Sequence, residues 1–184
     1  MTKQLFIFGG ASTALEIAEV AQRYYADKFK IFLVVPDGST GEHEATIEQS
    51  AITDHLQDGD GQPGYILSMW NQQVRSSCQE CATALNLNPV SIIHPGAYLS
   101  NTACIGAGVY IAAQSSVSTN ARIHDHVVVN FNVTVGHDSV IGSHTFLNPG
   151  ARISGHVTVG ERVLIGANSI VFQGRQVADE CLVD

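Results

Sequence analysis

Charged side chains are scarce: Asp, Glu, Lys and Arg make up 14% of the 184 residues, against about 25% in an ordinary globular chain. With 45% hydrophobic residues beside that figure, a disordered or linker-like chain is excluded and a compact soluble protein with a real core is expected. Basic residues are scarcer still. Nine Lys plus Arg face seventeen Asp plus Glu, for a net charge of -8, and no basic run exists to neutralise a phosphate backbone, so nucleic acid is not an expected partner. Apolar runs such as Ile31 to Val35 fall far short of the roughly 18 residues of a membrane span. Leu5 to Phe8 is too short for a signal-peptide core of about 7 to 15 residues. The four cysteines, Cys78, Cys81, Cys104 and Cys181, are expected as reduced thiols in the cytoplasm and not as a disulfide framework. Cys78 and Cys81 form a C-x-x-C with no second ligand pair, in a stretch that reads as helix, so packing and not zinc is expected there.

What is present is a repeat. Every sixth residue from Ile93 is aliphatic: Ile93, Leu99, Ile105, Ile111, Val117, Ile123, Val129, Val135, Ile141, Leu147, Ile153, Val159, Ile165, Val171, Val177 and Val183. Chance does not produce that run. Taking the aliphatic as position one, position five is small or β-branched from Ala97 through Ser115, Ser139 and Thr145 to Ser169, with Arg175 the misfit. Gly follows the aliphatic at Gly106, Gly136, Gly142, Gly160 and Gly166, where the turn needing permissive backbone angles is expected. A hexad repeat predicts a parallel β-helix of triangular section: one short strand and a corner per hexad, three hexads per coil, coils about 4.8 Å apart. Residues 18 apart therefore stack, and about five coils are available between residues 93 and 184.

The first half follows another rule. Leu5 to Phe8 reads as a buried strand, Gly9 to Ser12 as a turn, and Thr13 to Ala26 as a helix, with Thr13 and Glu16 as a capping box. A strand at Ile31 to Val35, a third at Tyr65 to Met69 and a helix from about Asn71 to Leu87 follow. The polar, acidic stretch from Thr40 to Gln62 is expected as a loop with one short helix around Gln49 to Leu56. The pattern is half of a doubly wound α/β unit, whose ligands sit beyond the strand C-termini. Gly9 to Thr13, Asp37 and Ser68 to Asn71 would line that crevice, with backbone donors at the first helix start suited to a diphosphate. The expected domains are 1-88, α/β, and 89-184, the β-helix.

Eight histidines are the only near-neutral acid-base groups. His137 stands at position three, with Thr119 one coil below and Gly155 one coil above. The glycine should leave a gap above the imidazole, where a base for a nucleophile and a backbone donor for an oxyanion would adjoin, as acyl transfer requires. Asp138 follows, stacked between Asn120 and His156. His124, His126, His144 and His156 are expected as solvated edge residues, His43 and His55 as surface residues, and His94, before Pro95, in a local turn. Cys104 falls at position six, away from His137, which argues against a thiol nucleophile.

Gly9-Gly10-Ala11-Ser12, Asn71 to Arg75, Ile93-His94-Pro95, Val129-Asn130 and Val135 to Gly142 occur in one order across nearly the whole chain. In that ordered set it resembles the left-handed β-helix acetyltransferases of the sialic acid O-acetyltransferase and UDP-4-amino-sugar N-acetyltransferase family, hexapeptide-repeat acyltransferases that include bacillosamine- and perosamine-pathway enzymes. The resemblance implies a left-handed prism and an N-terminal crevice, with Gly9, Gly10, Ser12, Asp37 and Asn71, for the nucleotide of a nucleotide-linked amino sugar. It implies His137 as base, Asp138 as the acid that orients or tunes it, and Asn130 near the acceptor amine. It gives the Gly155 amide to the thioester carbonyl, and places Gly166 and Ala167 on the side of acetyl-CoA, the co-substrate. A homotrimer with acetyl-CoA between neighbouring prisms, and no metal, belong to the same expectation.

The chain departs from that family's pattern at several points. Ser12-Thr13-Ala14 stands where Gly-His-Gly is usual, Trp70 where a Gly is usual, and Phe146 where a His is common. The chain stops at Asp184 in mid-register, where relatives run on for one more coil and a tail that contacts CoA. Transfer to an amine, transfer to a sugar hydroxyl, and nucleotide-sugar binding without catalysis all stay open. A zinc enzyme of the γ-carbonic anhydrase kind is disfavoured, since no two histidines of the prism are spaced His-x-x-x-x-His.

Overall fold

The computed structural model describes residues 2–41, 43–56 and 61–184, and the chain divides into two compact units, Met1–Val90 and Ser91–Asp184. In the first unit the order is β1 (Lys3–Phe8), α1 (Thr13–Tyr24), β2 (Phe29–Val35), β3 (Thr46–Glu48), α2 (Ile52–His55), β4 (Gly64–Leu67), α3 (Gln72–Ala84) and β5 (Asn88–Pro89). The strands form one parallel sheet in the order β3-β2-β1-β4-β5. The apolar runs Leu5 to Phe8 and Ile31 to Val35 are buried throughout, as strands covered on both faces must be. α1 buries Ala14, Ile17, Ala18 and Ala21, the spacing of one helical face. The strands β3 and β5 lie outside the expected elements; at three and two residues they are too short to show a period. The expected acidic loop holds β3, a 3-10 turn at Gln49–Ala51 and α2, and it also includes residues outside those described. The expected capping box is absent: Ser12 is the N-cap, Thr13 is the first helical residue, and no side chain caps the helix.

The second unit is a triangular prism. Sixteen two-residue strands recur every six residues from Ile92–Ile93 to Leu182–Val183 and pair 18 residues apart, as in Thr134↔Ser116 and Thr134↔Arg152, so that three parallel sheets form its faces. Positions one and five point inward: Val129, Val133, Val135, Ile141, Leu147, Ala151, Ile153 and Val157 form one continuous core. No described helix is long and apolar enough to cross a membrane.

The turn does not fall where the glycines do. Position four, not position two, has positive φ, at Gly108, Gln114, Asn120, His126, Asn132, Asp138, His144, Gly150, His156, Arg162, Asn168, Gly174 and Glu180, with φ from 55° to 75°. A non-glycine residue there costs about 1 to 2 kcal/mol. Stacking offsets the cost, because the amides of these residues bond to the coil below, mostly to a carbonyl, as in Asp138 to Thr119 at 2.9 Å and His156 to His137 at 2.9 Å, and at Asn120 to the Thr102 hydroxyl at 2.9 Å. Position-two glycines serve close approach instead: a Cβ on Gly136 would lie 2.5 Å from the Gly155 nitrogen and the Ser154 carbonyl carbon, and one on Gly142 would lie 2.5 Å from the Gly160 backbone.

The polar residues at position five also have a use the hexad pattern hides. Ser139 Oγ donates to the Ser154 carbonyl at 2.8 Å and accepts from the Val157 amide at 3.1 Å. Ser115 does the same between Asn130 and Val133, and Thr145 between Gly160 and Val163. Each hydroxyl bridges two coils inside the prism. Ser139→Ala would strand the buried Val157 amide and the part-buried Ser154 carbonyl, at about 1 to 3 kcal/mol for a buried group and less for a part-buried one. We therefore expect about 3 kcal/mol of lost stability in urea unfolding; a loss under about 0.5 kcal/mol would show that the bridge contributes nothing.

Candidate active site

In the first unit the order reverses at β1, which has β2 on one side and β4 on the other, so the loops after β1 and β4 flank the crevice of a doubly wound sheet. The structure brings Gly9, Gly10 and Ser68 together there. Ser68 Oγ donates to the Phe8 carbonyl at 2.6 Å, and a Cβ on Gly9, whose φ is +129°, would collide with that hydroxyl. A Cβ on Gly10 would lie 2.5 Å from Val35 Cγ1. Ser12, at φ 45°, keeps its hydroxyl out of helix capping. Two expected residues have local duties: Asn71 caps α3 by accepting from the Val74 amide at 3.0 Å, and Asp37 Oδ1 accepts from the Ser50 amide at 2.9 Å. Trp70 is exposed in the loop between β4 and α3.

Arg75 escaped sequence reasoning. It is buried, and it donates to the Met69 carbonyl at 2.6 Å and to the Leu67 carbonyl at 3.5 Å, pinning the loop that ends β4. Burial pulls its guanidinium down to about 10. The spacing of Arg75, Cys78 and Ala82, the buried residues of α3, is the signal that could have found it. Burial also pushes the Cys78 thiol up to about 11, and Cys78 packs on the buried face of α3 while Cys81 is half-buried.

In the second unit the cluster around His137 is built by stacking. Asn120, Asp138 and His156 occupy the same corner on three successive coils, and His137 precedes Asp138. His137 Nδ1 and Asp138 Oδ2 are 2.8 Å apart, and Asn120 Nδ2 donates to Asp138 Oδ1 at 3.0 Å. The hydrogen bond from Asn120, and then that from His137, hold the Asp138 carboxyl below the ordinary carboxylate value. An ionised carboxylate only accepts, so in the neutral ring the hydrogen sits on His137 Nδ1 and Nε2 keeps its lone pair. His137 is about half exposed, at 48% of its side chain. The expected gap above it is filled by the imidazole itself: a Cβ on Gly155 would lie 2.5 Å from His137 Nε2. No acceptor among the described residues takes the Gly155 amide.

His156 is at the solvated edge expected of it, 56% exposed, and it also joins this cluster. Its ring meets that of His137 edge to face at 4.8 Å, and its Nε2 lies 4.0 Å from Asp138 Oδ2. His126 departs from expectation: it is buried and stacks on His144 with centroids 4.9 Å apart, because Gly108 beneath it leaves room for the ring. His124 is exposed. His94 holds its turn, Nδ1 accepting from the Gly96 amide at 2.8 Å, and His43 Nδ1 accepts from the Ala45 amide at 3.1 Å. Asn130, Gly166 and Ala167 lie at a corner one face away from His137. Asn130 is buried, with its carbonyl taken by Ser115, and the Gly166 amide bonds to the Val183 carbonyl at 2.6 Å. Phe146 is buried too.

Residues 120–155 and 138–173 match the model of bacterial transferase hexapeptide repeats, six repeats each. The prism is a hexapeptide-repeat β-helix. Solved structures share both units. WeeI from Acinetobacter baumannii superposes with a TM-score of 0.82 at 16% identity, covering 100% of this chain and 92% of that one. The acetyltransferase domain of PglB from Neisseria gonorrhoeae gives 0.78 at 24%, covering 96% and 97%. A variant of perosamine N-acetyltransferase from Caulobacter crescentus, in complex with CoA and GDP-perosamine, gives 0.74 at 18%, covering 99% and 93%. No curated protein matches the chain by sequence. These likenesses establish the fold, an α/β unit followed by a left-handed parallel β-helix, as the sequence resemblance implied.

Proposed function

We propose that the protein transfers acetyl from acetyl-CoA to the amino group of a nucleotide-linked amino sugar, with His137 as general base. The observation that carries this reading is the His137 arrangement: Nδ1 bound to Asp138 at 2.8 Å, leaving the bare Nε2 against the Gly155 backbone. The acceptor amine gives a proton to Nε2 as its nitrogen attacks the thioester carbonyl, and Asp138 stabilises the imidazolium that forms. The oxyanion of the tetrahedral intermediate takes the Gly155 amide as donor. Its collapse breaks the carbon–sulfur bond, and CoA leaves as a thiolate that recovers the proton.

Several features support the remaining parts of this reading. The crevice at Gly9, Gly10 and Ser12, beside Asp37 and Asn71, would take the nucleotide. A homotrimer would set the corner with Asn130, Gly166 and Ala167 against the His137 corner of a neighbour, joining acceptor, CoA and base. Exposed Tyr98, Phe131, Ile170 and Phe172, on the face between those corners or at its edge, are apolar surface that such packing would cover. Four free cysteines suit a cytoplasmic protein. The departure at Phe146, a buried ring where relatives carry a polar partner, favours a second reading, nucleotide-sugar binding without transfer.

Incubation with acetyl-CoA and a panel of UDP- and GDP-linked 4-amino sugars and their hydroxyl counterparts tests the reading by mass spectrometry. One amino sugar gaining an acetyl group, as an amide stable to hydroxylamine, is the expected result. A hydroxylamine-labile product would mean an O-acetyltransferase; tight sugar binding with no product would favour the second reading.

A further inference from the structure

We propose that His137, Asp138 and His156 bind a dication of the zinc class, and that the bound ion switches off the base. The three residues converge. One ligand atom from each lies within 4.8 Å of the others, and both imidazoles face one oxygen, Asp138 Oδ2, at 2.8 and 4.0 Å. Two imidazoles and a carboxylate suit zinc, cobalt, nickel or copper, whereas calcium and magnesium want oxygen alone. Bonds of about 2.1 Å in a tetrahedron set ligand atoms about 3.4 Å apart. The two separations straddle that value, and the His137 and His156 side chains, 48% and 56% exposed, both have room to turn about an ion.

Three features preorganise the site. His156 is held one coil above His137 by its amide bond to the His137 carbonyl at 2.9 Å. Asn120 occupies Asp138 Oδ1 at 3.0 Å, which leaves Oδ2 aimed at the imidazoles. Gly174, next in the column, has no heavy atom within 4 Å of where its Cβ would be, so water can complete the coordination. The hexad count stacks Asp138 and His156, but it does not show that the His156 ring turns toward His137.

The ion acts on the base through the tautomer. An ion at Asp138 Oδ2 takes the His137 Nδ1 lone pair, so the ring hydrogen that Asp138 accepted moves from Nδ1 to Nε2. One proton relocates within the ring, and Nε2 becomes a donor unable to accept from an amine. Binding does not depend on the transferase reading; only the inhibition rests on it.

The full chain, stripped of metal with a chelator, is titrated with Co2+, read by its visible bands, and with Zn2+, read by calorimetry. We expect one ion per chain. His156→Asn, which keeps a residue at ease with positive φ, should weaken binding at least about tenfold, while His124→Ala, outside the cluster, should leave it unchanged. Should His156→Asn melt early, nitrogen-15 spectra of the wild type decide: Zn2+ must move the ring resonances of both His137 and His156. Equal affinity in His156→Asn, or ring resonances that stay put, would overturn the site. With binding established, Zn2+ should abolish acetyl transfer at the occupancy measured by calorimetry. An occupied site that still transfers acetyl would leave the metal site standing and remove His137 as the base.

Discussion

His137→Ala is expected to lower acetyl transfer about 10² to 10⁴-fold, the range over which a positioned acid-base group contributes, with little change in melting temperature. The two halves of that expectation have separate causes. The imidazole is about half exposed, at 48% of its side chain, and its partners are Asp138 and the edge of His156, so its removal opens no cavity in the core. Its Nε2 is nevertheless the only ring nitrogen of His137 free of the bond to Asp138. The comparison is made as CoA release under saturating substrates, alongside a thermal melt. A fall of less than about tenfold would remove His137 from the chemistry, and a large fall in melting temperature would make the activity loss a folding effect.

Gly155→Ala is expected to cost about 10²-fold in the same assay, the scale of a misplacement of about 1 Å at a reacting group. The added methyl would sit 2.5 Å from His137 Nε2 and 2.7 Å from Cε1. Both atoms belong to a partly exposed side chain that can swing outward, so the clash is relieved by moving the base and not the backbone. Gly155 is not among the positive-φ residues, which spares alanine any backbone strain there. Stability should therefore fall by less than about 1 kcal/mol. Gly136→Ala makes the contrast, because its methyl would meet the backbone of Ser154 and Gly155, which cannot turn aside; overpacking of that kind costs about 1 to 3 kcal/mol. If Gly155→Ala kept full activity, Nε2 would not need the position over Gly155 that the acyl-transfer geometry gives it.

The prism was legible because its rule is a period. Sixteen aliphatic residues at spacing six fix the inward positions, and 18-residue stacking then places Asn120, Asp138 and His156 at one corner without any coordinates. What the period leaves out is what a residue does once stacked. The glycines at position two signalled a turn, yet the turn falls at position four, where Asn, Asp, His, Arg and Glu accept positive φ because their amides bond to the coil below. Ser139 and Thr145 read as small wall residues, although each joins two coils through one hydroxyl. His156 is at the solvent edge that its position predicts, but the count of residues cannot say that its ring turns toward His137. In the first unit, β1, β2 and α1 followed from apolar runs and helical spacing. Arg75 did not, because a lone arginine in a polar helix is ordinarily solvated, and only the carbonyls of Leu67 and Met69 explain its burial.

The central claim is that His137 Nε2, made basic by the bond from Nδ1 to Asp138, takes the proton in acetyl transfer. Nitrogen-15 spectra of histidine-labelled protein, free of metal and at alkaline pH where imidazoles are neutral, test it most directly. The predicted result is a His137 ring with its hydrogen on Nδ1 and a bare Nε2, and loss of that preference in Asp138→Ala. A hydrogen found on Nε2 would leave the site without its base and contradict the account.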